Sequence, residues 1–275
     1  FMLHDRHSDT GTDNFFDQVK QALLENSPEQ KIRQLAVINQ ALNSGELDLT
    51  PHTQIVSIPV PGRPARPELV QPSQVARRKL TTLQGRIALI HAVCHIEFNA
   101  INLALDAAYR FQNLPIDYYL DWMRVAGEEA RHFNLLLNRL AELESEYGEF
   151  TAHNGLWEMA VKTQHSLVER MALVPRVLEA RGLDVTPGMI ERLKNAGDDQ
   201  TVAILEIILR EEIGHVEIGT RWFRHACQIE NLDSGKTFAE LLKKYNVSAS
   251  KGPLHTDARK QAGFEDAELE ALTRQ

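Results

Sequence analysis

A pattern of glutamate and histidine that occurs twice limits the folds open to this chain. Each copy begins with one glutamate and continues with a Glu-x-x-His sequence, 32 residues later in the first copy (97 to 129) and 33 in the second (179 to 212). The six residues are Glu97, Glu129, His132, Glu179, Glu212 and His215. Side chains three positions apart share one face of an α-helix, so a bundle of four helices would bring all six together.

Long segments with helical spacing of apolar residues surround the pattern and predict an all-α fold, a four-helix bundle. The predicted bundle helices span about residues 83–111, 115–147, 156–181 and 202–227. Glu97 and both Glu-x-x-His pairs fall within the apolar faces of these helices. Burying a carboxylate is costly unless it is paired or binds a metal ion. The pattern therefore predicts a two-metal site, and iron or manganese suits such oxygen and imidazole ligands.

Two glutamates of the third predicted helix compete for the role of ligand. Glu179 shares a face with apolar residues such as Met171, whereas Glu169 lies on a more polar stripe. Spacing also favours Glu179, because Glu169 precedes Glu212 by 43 residues (169 to 212). Gly182 is predicted to end this helix as a C-terminal cap, and residues 182–199 are predicted as a loop with room for a short helix.

The chain divides into three predicted regions. Residues 1–75 form an N-terminal region with two short helices, at about 14–25 and 28–42, and a proline-rich extended segment. Residues 76–230 form the bundle with the metal site, and residues 231–275 form a weaker helical tail.

Composition narrows the class of protein further. The 275 residues are 43% hydrophobic, which is enough for one main core. A net charge of −8, spread along the chain, gives no basic surface, so a nucleic-acid partner is unsupported. No secretory signal is recognised, and no apolar run approaches the roughly 20 residues that cross a bilayer. The sequence therefore predicts a cytoplasmic protein without membrane segments.

Several polar residues near the pattern are candidates for orienting its ligands by hydrogen bonds, as metal sites require. Arg131, Arg210 and Asp106 are candidates by proximity in the sequence. Glu128 and Glu211 each precede a predicted ligand and point about 100° away from it on a helix. These two glutamates are predicted either to support the ligands or to lie on the surface.

The chain resembles the ferritin-like superfamily of di-iron carboxylate proteins at these residues. The strings HIEFNAIN (95–102), EARGLD (179–184) and EIGHV (212–216) are similar to those of a bacterial ferritin-like family of unknown function. The resemblance extends over about residues 55–230 and includes the stretch PGRP at 61–64. It implies a four-helix bundle with a two-metal centre, in which the six residues of the pattern match the ligand positions.

The leading hypothesis is an O2-dependent oxidoreductase with two iron ions, or manganese, acting on a small organic substrate with external electrons. In this hypothesis Glu129 and Glu212 bridge the ions, Glu97 and Glu179 are terminal ligands, and each ion has one histidine. An apolar cavity that reaches the metal centre is expected for such an enzyme.

Three alternatives remain open at the level of sequence. The first is a ferroxidase or a metal-storage protein without an organic substrate. The second is a radical-generating subunit, for which Tyr118, Tyr119 and Trp122 are candidate redox-active side chains. The third is a structural bundle with a relic metal site.

Overall fold

The structure, a computed structural model, describes residues 13–51, 54–76, 78–247 and 252–273. Within these ranges the fold is all-α, as predicted, and pairing between extended segments is limited to two isolated bridges. The helices are α1 (Phe15–Leu24), α2 (Pro28–Asn43), α3 (Leu83–Arg110), α4 (Ile116–Glu142), α5 (Gly155–Lys162), α6 (Leu167–Leu173), α7 (Arg181–Asn195), α8 (Asp199–Ile229), α9 (Ser234–Lys244), α10 (Thr256–Gln261) and α11 (Asp266–Thr273).

The longest helices, α3, α4 and α8, form the bundle together with the segment from α6 to α7. Helix α4 packs against both α3 and α8, and α8 also packs against α6 and α7. Helix α3 begins after Thr82, whose hydroxyl accepts a hydrogen bond from the Gly85 amide (3.0 Å). The predicted extent of α4 was too long, because that helix ends at Glu142.

Helix α3 is long and apolar enough to cross a membrane by length and composition alone. Its most apolar window of 18 residues has a mean hydropathy of 1.4. The expectation that no apolar segment would be long enough to cross a bilayer was therefore wrong. However, 78% of that window is buried inside the protein. This burial is that of a core helix in a soluble protein.

The third part of the bundle differs most from the prediction of one continuous helix. Helix α6 passes into a π-helical turn, Val174–Glu179, and α7 follows from Arg181. Gly182 therefore lies in the first turn of α7 and does not end a helix. The predicted loop after it is helical as far as Asn195, with Pro187 inside the helix.

The N-terminal helices were predicted correctly and cover one side of the bundle, where α1 packs on α3 and α2 on α4. Ser27 caps α2 by accepting a hydrogen bond from the Gln30 amide (3.3 Å). The buried Lys31 ammonium donates to the carbonyl oxygens of Ala22 (2.8 Å) and Leu23 (2.9 Å) at the end of α1. Burial lowers the pKa of Lys31 to about 7.

The proline-rich segment and the C-terminal tail wrap the bundle. The indole of Trp157 donates to the carbonyl oxygens of Ile58 (3.2 Å) and Pro59 (3.1 Å), which fixes the extended segment. Arg176 of the π-helical turn forms a buried ion pair with Glu268 of α11 (2.8 Å). One hydrophobic cluster includes residues from all three predicted regions; the boundaries between these regions stay a prediction.

Candidate metal centre

Five of the six predicted ligands come together in the interior of the bundle as two groups. Within each group, one potential ligand atom per residue lies within 4.8 Å of the others. The first group is Glu97, Glu129 and His132, and the second is Glu129, Glu212 and His215. All five residues are buried, and Glu129 belongs to both groups.

The Nδ1 atom of each histidine faces two carboxylates. His132 Nδ1 lies 3.1 Å from Glu97 Oε2 and 3.3 Å from Glu129 Oε2. His215 Nδ1 lies 2.9 Å from Glu129 Oε1 and 3.2 Å from Glu212 Oε2. The two oxygens of Glu129 are thus divided between the histidines, whose ring centroids are 5.8 Å apart.

The Nε2 atom of each histidine faces a glutamate on the opposite helix. Glu211 Oε2 of α8 lies 2.7 Å from His132 Nε2 of α4, and Glu128 Oε2 of α4 lies 2.7 Å from His215 Nε2 of α8. An acceptor at Nε2 fixes the orientation of an imidazole and leaves Nδ1 directed at the ligand groups. The structure therefore gives these two glutamates the supporting role that was one of their predicted alternatives.

The other candidates for a supporting role differ among themselves. Arg131 forms an ion pair with Glu211, and Arg210 lies 4.0 Å from the same carboxylate on the exposed side. Asp106 instead forms buried ion pairs with Arg110 (2.8 Å) and Arg170 (2.6 Å). Its two carboxylate oxygens are engaged there, so Asp106 supports helix packing instead of a ligand.

Glu179, the sixth predicted ligand, ends the π-helical turn and is half-buried at the edge of the second group. Burial and the charges of Glu212 and Glu129 raise its pKa well above the ordinary value. Its competitor Glu169 accepts hydrogen bonds from Lys244 (2.7 Å) and the Tyr245 hydroxyl, and thereby holds the tail.

The carboxylates carry more negative charge than their surroundings balance. Burial and the charge of Glu129 raise the pKa of Glu97 and of Glu212. Burial alone would raise the pKa of Glu129, but His215 and His132 outweigh it and lower that pKa.

Both imidazoles respond to the same carboxylates. Burial alone would lower the pKa of His132, yet its hydrogen bonds with Glu129 and Glu97 raise the pKa to about 10. The charge of Glu129 likewise overcomes burial and raises the pKa of His215 well above its usual range. A cation bound among these groups would relieve the repulsion between carboxylates and replace the protons on the imidazoles.

A cavity of about 600 Å³ reaches this cluster. Four of the predicted ligands line it, namely Glu97, Glu129, Glu179 and Glu212. The rest of its wall is mainly aliphatic and includes Val93, Ile96, Ala100, Leu156, Met159, Leu178, Val185, Met189, Leu205, Ile208 and Leu209. Much of this wall comes from α5, whose apolar residues have the spacing of an ordinary core helix, and from α7, most of which was predicted as a loop. The sequence marked neither as functional.

The aromatic residues considered as redox-active side chains are packing residues. The Tyr118 hydroxyl donates to the Ala107 carbonyl oxygen (3.0 Å), and the Tyr119 hydroxyl donates to that of Phe111 (3.1 Å). None of the three candidates, Tyr118, Tyr119 and Trp122, lines the cavity.

The fold and the site define an all-α protein with a buried cluster of carboxylates and imidazoles at the wall of an apolar cavity. The sequence profile of the family described as "Protein of unknown function (DUF455)" matches residues 24–270, and the chain belongs to this family. A Haemophilus influenzae protein with the name "Uncharacterized protein" is 44% identical over 273 residues, covering 93% of this chain and 92% of that protein. No solved structure matches the chain.

Proposed function

We propose that this protein is a ferritin-like dinuclear metal enzyme that uses O2 to oxidise a small, largely apolar molecule. The observation that carries the proposal is that two buried Glu/His groups, which share Glu129, lie next to an apolar cavity. Family membership agrees with the resemblance to a family of unknown function, and it assigns neither a superfamily nor a reaction.

The donor set fits two divalent ions. Glu97, Glu129, Glu179 and Glu212 would balance their charge, and His132 and His215 would each supply one nitrogen. Iron is our first choice and manganese the second, because both accept this mixture of ligands. Glu129 directs one carboxylate oxygen toward each histidine and would bridge the two ions; we propose Glu212 as the second bridge and Glu97 and Glu179 as terminal ligands.

The bound metal would supply activation of O2, and the chain would supply position and environment. Glu128 and Glu211 hold the imidazoles in orientation through their Nε2 atoms. The aliphatic wall excludes water from the reacting centre and binds the apolar part of the substrate. Electrons would come from an external donor, and we place the reaction in the cytoplasm.

The main competing function is that of a ferroxidase or metal-storage protein. Such a protein must admit iron ions repeatedly, and polar or acidic residues favour their passage. In the part of the chain that the structure describes, the four ligand glutamates are the only acidic residues that line the cavity. A substrate cavity agrees better with this lining than an iron channel does.

Metal content after anaerobic reconstitution with Fe(II) tests the proposal, with absorption recorded on exposure to O2. We expect about two irons per chain from the two groups, and loss of iron and of the O2-dependent absorption in Glu212→Ala. Glu217→Ala is the matched control, because Glu217 lies exposed on the same helix. Circular dichroism checks that both variants fold. Absence of iron from the wild type, or equal iron in Glu212→Ala, would refute the assignment.

A further inference from the structure

The face that α7 and the preceding turn present to the cavity includes one basic residue. Leu178, Arg181, Val185 and Met189 all line the cavity and follow one another at intervals of three or four residues, the spacing of one helical face. Among the cavity-lining residues of the described chain, Arg181 is the only lysine or arginine.

The charge around Arg181 favours an anion. Asp184, one turn away, accepts hydrogen bonds from Arg259 at 3.0 Å and 2.7 Å. The charge of Asp184 also acts on Arg181, so two guanidinium groups lie near one carboxylate at this side of α7. With two divalent ions balancing the four ligand glutamates, the cavity wall retains one positive charge, that of Arg181. Arginine binds a carboxylate in bidentate geometry, with two parallel hydrogen bonds, and such pairs are strong where water is excluded.

The rest of the wall favours an aliphatic body over an aromatic or highly charged one. Tyr245 and His153 are the only aromatic rings among the described lining residues, so the wall offers little for stacking a nucleobase. Ile96 and Val185 line the cavity and are also exposed at 43% and 40%, so its mouth is apolar as well. A volume of about 600 Å³ lies within the range of about 300–1,000 Å³ for small-molecule sites.

We propose that the cavity binds an aliphatic monocarboxylate, with the carboxylate paired to Arg181 and the chain lying along the wall toward Glu97 and Glu212. This inference names the substrate class of the proposed function and rests on it for the reaction, though not for binding. Arg181 is thus a residue that determines specificity by selecting an anionic group at one end of an apolar molecule.

Titration calorimetry with dodecanoate tests the proposal on the full chain, both free of metal and loaded with Zn(II), which does not react with O2. We expect Arg181→Gln to weaken dodecanoate binding by about ten- to a hundred-fold, since a hydrogen-bonded charge pair is lost, and Arg181→Lys to weaken it less. Arg192→Gln is the matched control on α7, because Arg192 is exposed and outside the cavity. Methyl dodecanoate should bind the wild type and Arg181→Gln with equal affinity.

Equal affinity of the wild type and Arg181→Gln for dodecanoate would overturn the proposal, and so would absence of binding. If Arg181→Gln fails to fold, the wild type still decides, because it must prefer dodecanoate over the methyl ester by about tenfold or more. Tighter binding of dodecyl phosphate than of dodecanoate would overturn the choice of carboxylate. Arginine-dependent binding by a protein that takes up no iron would support this inference while refuting the metal assignment.

Discussion

The two sides of the candidate metal centre are built in different ways. On one side, α4 and α8 each present a Glu-x-x-His pair from the middle of a long, regular helix, and each helix also supports the histidine of the other. On the other side, Glu179 ends a π-helical turn between two shorter helices. Glu129 and Glu212 of the first side also line the cavity, but they are buried, whereas Glu179 is only half-buried.

This difference separates a regular part of the site from an irregular one. Regular helices fix side-chain directions through their backbone hydrogen bonds, so the four residues of α4 and α8 are positioned before any metal binds. π-helical turns are rare and occur often at functional sites. The turn also leads directly into the face of α7 that lines the cavity. We infer that α4 and α8 hold the metal, and that the π-helical turn couples the metal to the substrate.

The largest expected effect comes from removing the residue that the two groups share. Glu129→Ala takes one carboxylate from both groups, so we expect it to lose both metal ions. Glu179→Ala removes one proposed ligand, that of the π-helical turn, and we expect it to keep at least one ion. Metal analysis of the two variants after identical reconstitution makes the comparison. Equal metal loss in both would show that the two sides do not differ in the way proposed.

The contact between the two sides provides the next test. A Cβ atom added at Gly219 of α8 would lie 2.4 Å from Pro175 Cβ in the π-helical turn. We expect Gly219→Ala to reduce the free energy of unfolding by about 1–3 kcal/mol, because packing atoms too closely forces side chains and backbone to shift. It should also lower metal occupancy, since the turn carries Glu179. Urea denaturation measures the first effect and metal analysis the second.

Gly214 provides the control for that substitution on the same helix. A Cβ atom added there has no neighbour within 4 Å. Gly214→Ala should therefore leave stability unchanged or raise it by up to about 1 kcal/mol, through the better helix propensity of alanine. Similar destabilisation by both substitutions would contradict the role assigned to the contact with Pro175.

The sequence predicted the regular side of the site better than the irregular side, for a physical reason. The two short N-terminal helices and the shared face of each Glu-x-x-His pair depend on residues within one or two helical turns. The path around Gly182 depends on distant contacts, such as that of Pro175 with Gly219, and these override the local tendency of glycine to end helices.

The pairing of Glu128 and Glu211 with histidines on opposite helices is tertiary as well. The sequence placed both glutamates beside ligands but could not specify their partners. Their position immediately before the ligand glutamate in both copies of the pattern was the available signal.

The smallest effect is a difference in the protons released when metal binds. In the metal-free protein at pH 7, His132 is protonated because its pKa is raised to about 10, and His215 is protonated for the same cause. The raised pKa of Glu179 also lets it keep a proton to higher pH than an ordinary glutamate, since burial and the charges of Glu212 and Glu129 oppose its ionisation. Metal must displace these protons, so affinity should rise with pH until about pH 10.

Calorimetry of Zn(II) binding at pH 7, in buffers of different ionisation enthalpy, counts the protons that the protein releases when the metal binds. We expect Glu179→Gln to release fewer protons than the wild type, because glutamine has no proton to lose on binding metal. Glu169→Gln is the control, because Glu169 holds the tail through Lys244 and Tyr245 and its pKa is lowered, so it carries no proton at pH 7. An unchanged count in Glu179→Gln would mean that Glu179 does not meet the metal, and that the π-helical turn serves the cavity alone.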